Sequence, residues 1–122
     1  MAGKRILVIE DHEENRRLLR DLLTSVGYEL IEAVTGEEGL ASAETERPDL
    51  ILMDIQLPGI DGYEVTRRIK ANAALRHIPI IAVTSYALSG DDVKAAAAGC
   101  DAYVTKPFDP AELLAKIQEF LP

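Results

Sequence analysis

The sequence carries one cysteine, Cys100. A lone cysteine excludes an intrachain disulfide, and no activating histidine stands beside it in sequence to make a reactive thiol. It reads as a small, reduced interior side chain, which sets the cytoplasm as the expected compartment. Long apolar runs are also missing. Ile6–Ile9, Leu50–Met53 and Ile80–Val83 are far shorter than the roughly 20 residues that span a bilayer. Lys4-Arg5 ahead of the first run faintly resembles a signal peptide, but that run stops at Glu10-Asp11, which excludes one. Positive charge is scarce: 13 Lys+Arg stand against 21 Asp+Glu, a formal charge of −8, and no basic run exceeds a pair. Clustered cations are what nucleic acids and anionic membranes recognise, so neither is an expected partner. Internal repeats, low-complexity tracts and Gly/Ser/Pro-rich linkers are absent too. With 122 residues, the expectation is one domain over 1–122.

What is present alternates regularly. Apolar segments at Arg5–Ile9, Glu29–Val34, Leu50–Met53, Ile78–Val83 and Ala102–Val104 read as strands. The first, third and fourth are solid Ile/Leu/Val runs, the pattern of parallel strands buried on both faces. Glu29 and Glu32 put the second at an edge. Each strand is followed by a helical pattern: Asn15–Val26, Glu37–Glu46, Tyr63–Asn72, Asp91–Ala98 and Pro110–Phe120. The first has Leu18, Leu19, Leu22, Leu23 and Val26 on its apolar stripe and is stopped by Gly27. Asp109 and Pro110 form a capped start for the last, whose inward stripe is Leu113, Leu114, Ile117 and Leu121. Strict alternation predicts an α/β fold with a doubly wound five-stranded parallel sheet, flavodoxin-like order 2-1-3-4-5. In such sheets ligands bind at the carboxyl ends of the strands, beside the switch point between the first and third.

That edge gathers chemistry. The first strand runs into Glu10-Asp11, the third into Asp54, the fourth into Thr84-Ser85, and the fifth, after Thr105, into Lys106-Pro107. Three carboxylates together repel, so at least one pKa should rise unless a cation is present. Oxygen ligands alone suit a hard cation, Mg²⁺ before Ca²⁺. Lys106 can pair with a carboxylate or a phosphate oxygen, and a Thr84 hydroxyl can donate to the same oxygen. The set suits a phosphoryl group sitting on, or passing through, a carboxylate. Any one of these residues could be a solvated loop acid or a turn cap; their joint placement on one edge is what points to a site. His12 and His77 have no partner at metal-ligand spacing, which argues against zinc.

Five blocks carry a resemblance: Ile6-Leu-Val-Ile-Glu-Asp11, Pro48-Asp-Leu-Ile-Leu-Met-Asp54, Leu57-Pro-Gly-Ile-Asp-Gly62, Ile78-Pro-Ile-Ile-Ala-Val-Thr84 and Gly99-Cys-Asp-Ala-Tyr-Val-Thr-Lys-Pro-Phe108. From Arg5 to Leu121 the chain resembles a response-regulator receiver domain of the chemotaxis-regulator (CheY-like) kind, nearest to stand-alone receivers and those attached to hybrid kinases. The resemblance implies a phosphoacceptor at Asp54, taking phosphoryl from a histidine kinase or a histidine phosphotransfer protein. It implies Mg²⁺, replaceable by Mn²⁺, held by Glu10, Asp11, Asp54 and the backbone carbonyl of Gln56. Thr84 matches the switch hydroxyl, Tyr103 the aromatic switch residue, and Lys106 the phosphate-binding lysine, with a cis bond to Pro107. Gln56 and Tyr86 match the positions that tune dephosphorylation.

The implied function is a two-component or phosphorelay regulator, a monomer or weak dimer. It would signal to a protein target through the face of the fourth helix, fifth strand and fifth helix, and catalyse only its own phosphoryl transfer and dephosphorylation. Met1 and the stop after the fifth helix favour a stand-alone regulator over a receiver cut from a hybrid kinase. Two rivals fit less well. A flavin module would want hydroxyls and glycines after the first strand, where Glu10-Asp-His-Glu-Glu14 stands instead. A Mg²⁺-dependent aspartyl-phosphate phosphatase resembles the pattern but places a general-acid Asp at the position held here by Gln56.

Overall fold

The computed structural model describes residues 3–84 and 91–122. Strands β1 (Arg5–Ile9), β2 (Glu29–Ala33), β3 (Leu50–Asp54), β4 (Ile80–Thr84) and β5 (Ala102–Thr105) alternate with helices α1 (Glu13–Ser25), α2 (Gly36–Glu46), α3 (Gly62–Ala71), α4 (Asp91–Ala98) and α5 (Pro110–Phe120). All strand pairs are parallel, in the order β2-β1-β3-β4-β5. Successive strand side chains point to opposite faces, so each central strand feeds two cores. Leu7, Ile9, Ile51, Met53, Ile80 and Ala82 pack with Val65 and Ile69 of α3 and Ala95 of α4. Ile6, Val8, Leu50, Leu52 and Ile81 pack with Leu19 and Leu23 of α1 and Leu113 and Ile117 of α5. This two-sided burial is why β1, β3 and β4 read as solid apolar runs.

β2 is the edge strand that its glutamates indicate. Glu29 is exposed, and Glu32 takes the Arg20 guanidinium in two bonds of 2.7 and 2.8 Å. Helix α1 departs from its apolar pattern. It starts two residues early, at Glu13 with His12 as N-cap, and buries Leu19 and Leu23. Leu18 (57% exposed) and Val26 (49%) face outward. One helix lying on one sheet face buries only a narrow i, i+4 stripe, and five apolar residues overfill it. Gly27 ends the helix in the left-handed region, at φ +96°. β4 begins at Ile80 rather than Ile78. Ile78 is buried, but its N–H closes a turn onto the Leu75 carbonyl, and Pro79 has no N–H to give a ladder. Cys100 is half-buried, its Sγ 3.7 Å from Thr66 Oγ1, and burial pushes its thiol pKa up, which leaves it unreactive. Among the described residues, no helix is long and apolar enough to cross a membrane.

Candidate functional site at the carboxyl edge

Parallel register brings the strand ends level. Asp54 pairs with Val83, and Thr84 with Thr105. The bonds continue past the strands: Glu10 N–H donates to Ala33 O (3.0 Å), Ile55 N–H to Val83 O (3.1 Å) and Lys106 N–H to Thr84 O (2.6 Å). Side chains at or just past the ends of four strands therefore meet on one edge. Glu10, Asp54 and Thr84 are each under 5% exposed. The Lys106–Pro107 peptide bond is cis. Gly62, at the start of α3, lets that helix close on the Asp54 loop. A Cβ there would lie 2.6 Å from the Asp54 carbonyl oxygen and 2.7 Å from Ile55 Cα.

Lys106 sits between two carboxylates and favours one. Its Nζ is 2.7 Å from Glu10 Oε1 and 3.8 Å from Asp54 Oδ2. Glutamate, one methylene longer than aspartate, reaches across to the lysine. Glu10 also accepts from the His12 N–H at 3.0 Å and from Asn15 Nδ2 at 3.3 Å, while Arg16 Nη1 holds its backbone carbonyl at 3.0 Å. Burial opposes charge on Glu10, but the bonds from Lys106 and His12 outweigh it and hold the carboxyl below its ordinary pKa. Asp54 shows the opposite balance. Burial first, and the neighbouring Glu10 charge second, push its carboxyl up to about 7 against the pull of Lys106 and the Gln56 N–H (3.1 Å). This is the raised pKa expected of crowded carboxylates.

Glu10, Asp11, His12 and Asp54 each offer a ligand atom, all within 4.8 Å of one another. Asp11 Oδ1 is buried and accepts no hydrogen bond among the described residues. A buried carboxylate oxygen that makes no hydrogen bond, with only the His12 ring 3.2 Å away and two further carboxylates beside it, fits a divalent cation. The backbone carbonyl of Gln56 lies two residues past Asp54, on the same loop. His12, given no partner by sequence spacing, has its Nδ1 3.2 Å from both Glu10 Oε2 and Asp11 Oδ1. Tyr103 is half-buried on β5, beside a pocket of about 120 Å³ lined by Ala95, Ala96 and Cys100. Tyr86 and Ser85 lie outside the described residues. Leu18, read from sequence as core, instead joins Asn15, Pro107 and Phe108 in an open groove of about 320 Å³ that reaches Lys106.

Known proteins resemble this chain over nearly its whole length. The family described as response regulator receiver domain matches residues 6–118. The polar-differentiation response regulator DivK of Brucella anthropi is 46% identical over 118 residues, covering 97% of this chain and 96% of the relative. The receiver domain of a sensor histidine kinase from Pseudomonas aeruginosa PAO1, solved with magnesium coordinated in its active-site cleft, is 42% identical. It superposes with a TM-score of 0.91 over 98% of each chain. A CheY-like receiver domain protein from Methanospirillum hungatei is 37% identical with a TM-score of 0.89, over 97% of this chain and 93% of that one.

Proposed function

The chain belongs to the response regulator receiver domain family, the receiver module of two-component signalling, and on that premise we propose that Asp54 is its phosphoacceptor. The observation that carries this is the meeting of buried Asp54 with Glu10, Asp11, Thr84 and Lys106 on one sheet edge. A carboxylate oxygen of Asp54 attacks the phosphorus of a phosphohistidine. The P–N bond breaks, the imidazole leaves with its electron pair, and an acyl phosphate forms on Asp54. Glu10, Asp11, Asp54 and the Gln56 carbonyl hold Mg²⁺, which when bound offsets the charge that the phosphoryl group brings. The magnesium in the cleft of the Pseudomonas aeruginosa relative supports that ion.

Lys106 is positioned to follow the charge. In the unmodified chain it rests on Glu10, 2.7 Å away, and Asp54 is the next acceptor at 3.8 Å. A phosphoryl group on Asp54 presents a denser anion, and Lys106 turns to it. The Thr84 hydroxyl, at the end of the neighbouring strand, donates to another phosphoryl oxygen. Its shift frees space toward β5, and Tyr103 turns into the adjoining pocket. The surface of α4, β5 and α5 then changes shape for a downstream protein, a population shift between two packings. Water attack on phosphorus cleaves the P–O bond and resets Asp54, with Gln56 and Tyr86 tuning the rate. The histidine donor docks at the groove of Leu18, Pro107 and Phe108, which borders Lys106. The role is that of a signalling switch in the cytoplasm, with no other substrate.

Two measurements test this. With acetyl phosphate and Mg²⁺, intact mass should rise by one phosphoryl group in the wild type and stay unchanged in Asp54→Asn. A pull-down with and without beryllofluoride plus Mg²⁺ should recover a target only with the mimic. Equal recovery in both states would sink the switch for that target.

A further inference from the structure

The acidic cleft contains a group that an oxygen-only magnesium site does not need. His12 is 66% exposed at its side chain, yet its ring is turned inward, with Nδ1 3.2 Å from Glu10 Oε2 and 3.2 Å from Asp11 Oδ1. Its backbone is fixed on both sides. The His12 N–H donates to Glu10 Oε2 at 3.0 Å, and its carbonyl accepts the Arg16 N–H at 3.0 Å as the N-cap of α1. Only rotation about the side-chain bonds is left to aim the ring.

We propose that His12 is a nitrogen ligand for the divalent cation of this cleft, and that it biases the site toward transition cations over Mg²⁺. Donor atoms about 2.1 Å from an octahedral ion lie roughly 3.0 Å apart when adjacent and 4.2 Å apart when opposite. The ligand atoms of Glu10, Asp11, His12 and Asp54 fall within 4.8 Å of one another, so one ion can reach them with small adjustments. Asp11 Oδ1 is a buried atom with no hydrogen bond among the described residues; the His12 ring stands 3.2 Å from it, so a shared ion would satisfy both atoms. Imidazole adds little to a hard ion that prefers oxygen. It adds much more to Mn²⁺, Co²⁺ or Ni²⁺, whose affinities for mixed nitrogen and oxygen sites climb along that series. The metal entering the cleft would then depend on availability as well as on the carboxylates. The inference rests on the cation-binding reading of this cleft and adds a residue and a preference to it.

The test is calorimetric titration of the full chain with MgCl₂ and, separately, with CoCl₂. It compares wild type, His12→Ala, His77→Ala and Asp54→Asn, with Mg²⁺ competing against Co²⁺ to show a shared site. In His12→Ala the Co²⁺ affinity should fall by about tenfold or more, at least what the loss of a supporting shell costs. Mg²⁺ affinity should stay within about twofold of wild type, since its oxygen ligands remain. His77→Ala should match wild type. The Co²⁺ form should show a hyperfine-shifted exchangeable imidazole proton that His12→Ala removes. Equal losses for both ions would mean that His12 only props Glu10, and no loss would mean that it is a bystander; either overturns the proposal. Those outcomes leave Mg²⁺ binding that Asp54→Asn weakens. A wild-type chain with no such Mg²⁺ site would instead bring down the cleft reading itself.

Discussion

Asp54 is held in a state that costs the fold stability, and replacing it with asparagine should release that cost in a pH-dependent way. The carboxyl is buried, beside charged Glu10, and its pKa stands at about 7. An aspartate in the unfolded chain titrates near 3.9. A folded pKa raised above the unfolded one means that the folded state holds the proton better. The stability tied to this group is complete below pH of about 4 and is lost as pH rises through 7. Roughly three units at 1.36 kcal/mol each give a ceiling of about 4 kcal/mol lost by pH 8, and about 2 kcal/mol by pH 5.5. An amide at this position keeps an oxygen for the Gln56 N–H and carries no charge to bury. Asp54→Asn should therefore match the wild type near pH 4 and gain on it steadily, by several kcal/mol at pH 8. For a domain of this size that is of order 10 °C in Tm. Glu10, whose lowered pKa works in the opposite sense below about 4.5, is present in both chains and largely cancels in the difference. Saturating Mg²⁺ should narrow the gap, since binding at one hundred times Kd stabilises the folded wild type by about 2.7 kcal/mol. Urea and thermal unfolding at half-unit pH steps from 4 to 8.5 provide the assay. A gap that stays flat across that window, or a less stable Asp54→Asn, would refute the placement of a repelled, desolvated carboxyl at this site.

Lys106→Ala strands the buried Glu10 carboxylate without its 2.7 Å partner and should cost about 3 kcal/mol by urea unfolding at pH 7, the scale of breaking a buried pair from one side. Gly62→Ala drives a Cβ into the Asp54 carbonyl and Ile55 Cα, so it should cost about 1–3 kcal/mol in the same assay and disturb the Asp54 amide resonances in NMR. Leu18→Asp should leave thermal stability almost unchanged, because the side chain is exposed. The same variant should slow phosphoryl transfer from a histidine phosphotransfer protein while labelling by acetyl phosphate stays at the wild-type rate; equal rates from both donors would remove the groove from the docking surface.

The architecture is legible because three of the five strands are buried on both faces. Ile6–Ile9, Leu50–Met53 and Ile80–Val83 have no polar side to confuse their period, and Glu32 in the edge strand finds its ion pair with Arg20. Topology then delivers most of the site, since parallel strands place their carboxyl ends together whatever the loops do. What was not legible depends on three-dimensional competition. Nothing local says that α1 buries Leu19 and Leu23 and leaves Leu18 out, because the helix orientation on the sheet decides it. The start of β4 turns on whether the Ile78 N–H joins the sheet or a turn. The carboxylates against the His12 ring are its own neighbours Glu10 and Asp11 at the end of β1, and what the sequence does not encode is the side-chain rotation that turns the ring onto them. The preference of Lys106 for Glu10 over Asp54 comes from side-chain reach across β1, β3 and β5, which sequence order does not encode.

The central claim is that Asp54 carries the phosphoryl group, and it is tested most directly by locating that group. After exposure to acetyl phosphate and Mg²⁺, borohydride reduction converts an aspartyl phosphate to homoserine, a stable mass change that peptide sequencing by mass spectrometry can place. The account predicts the change at Asp54, dependent on Mg²⁺ and absent from Asp54→Asn. A change at another carboxylate, or phosphate retained by Asp54→Asn, would contradict it.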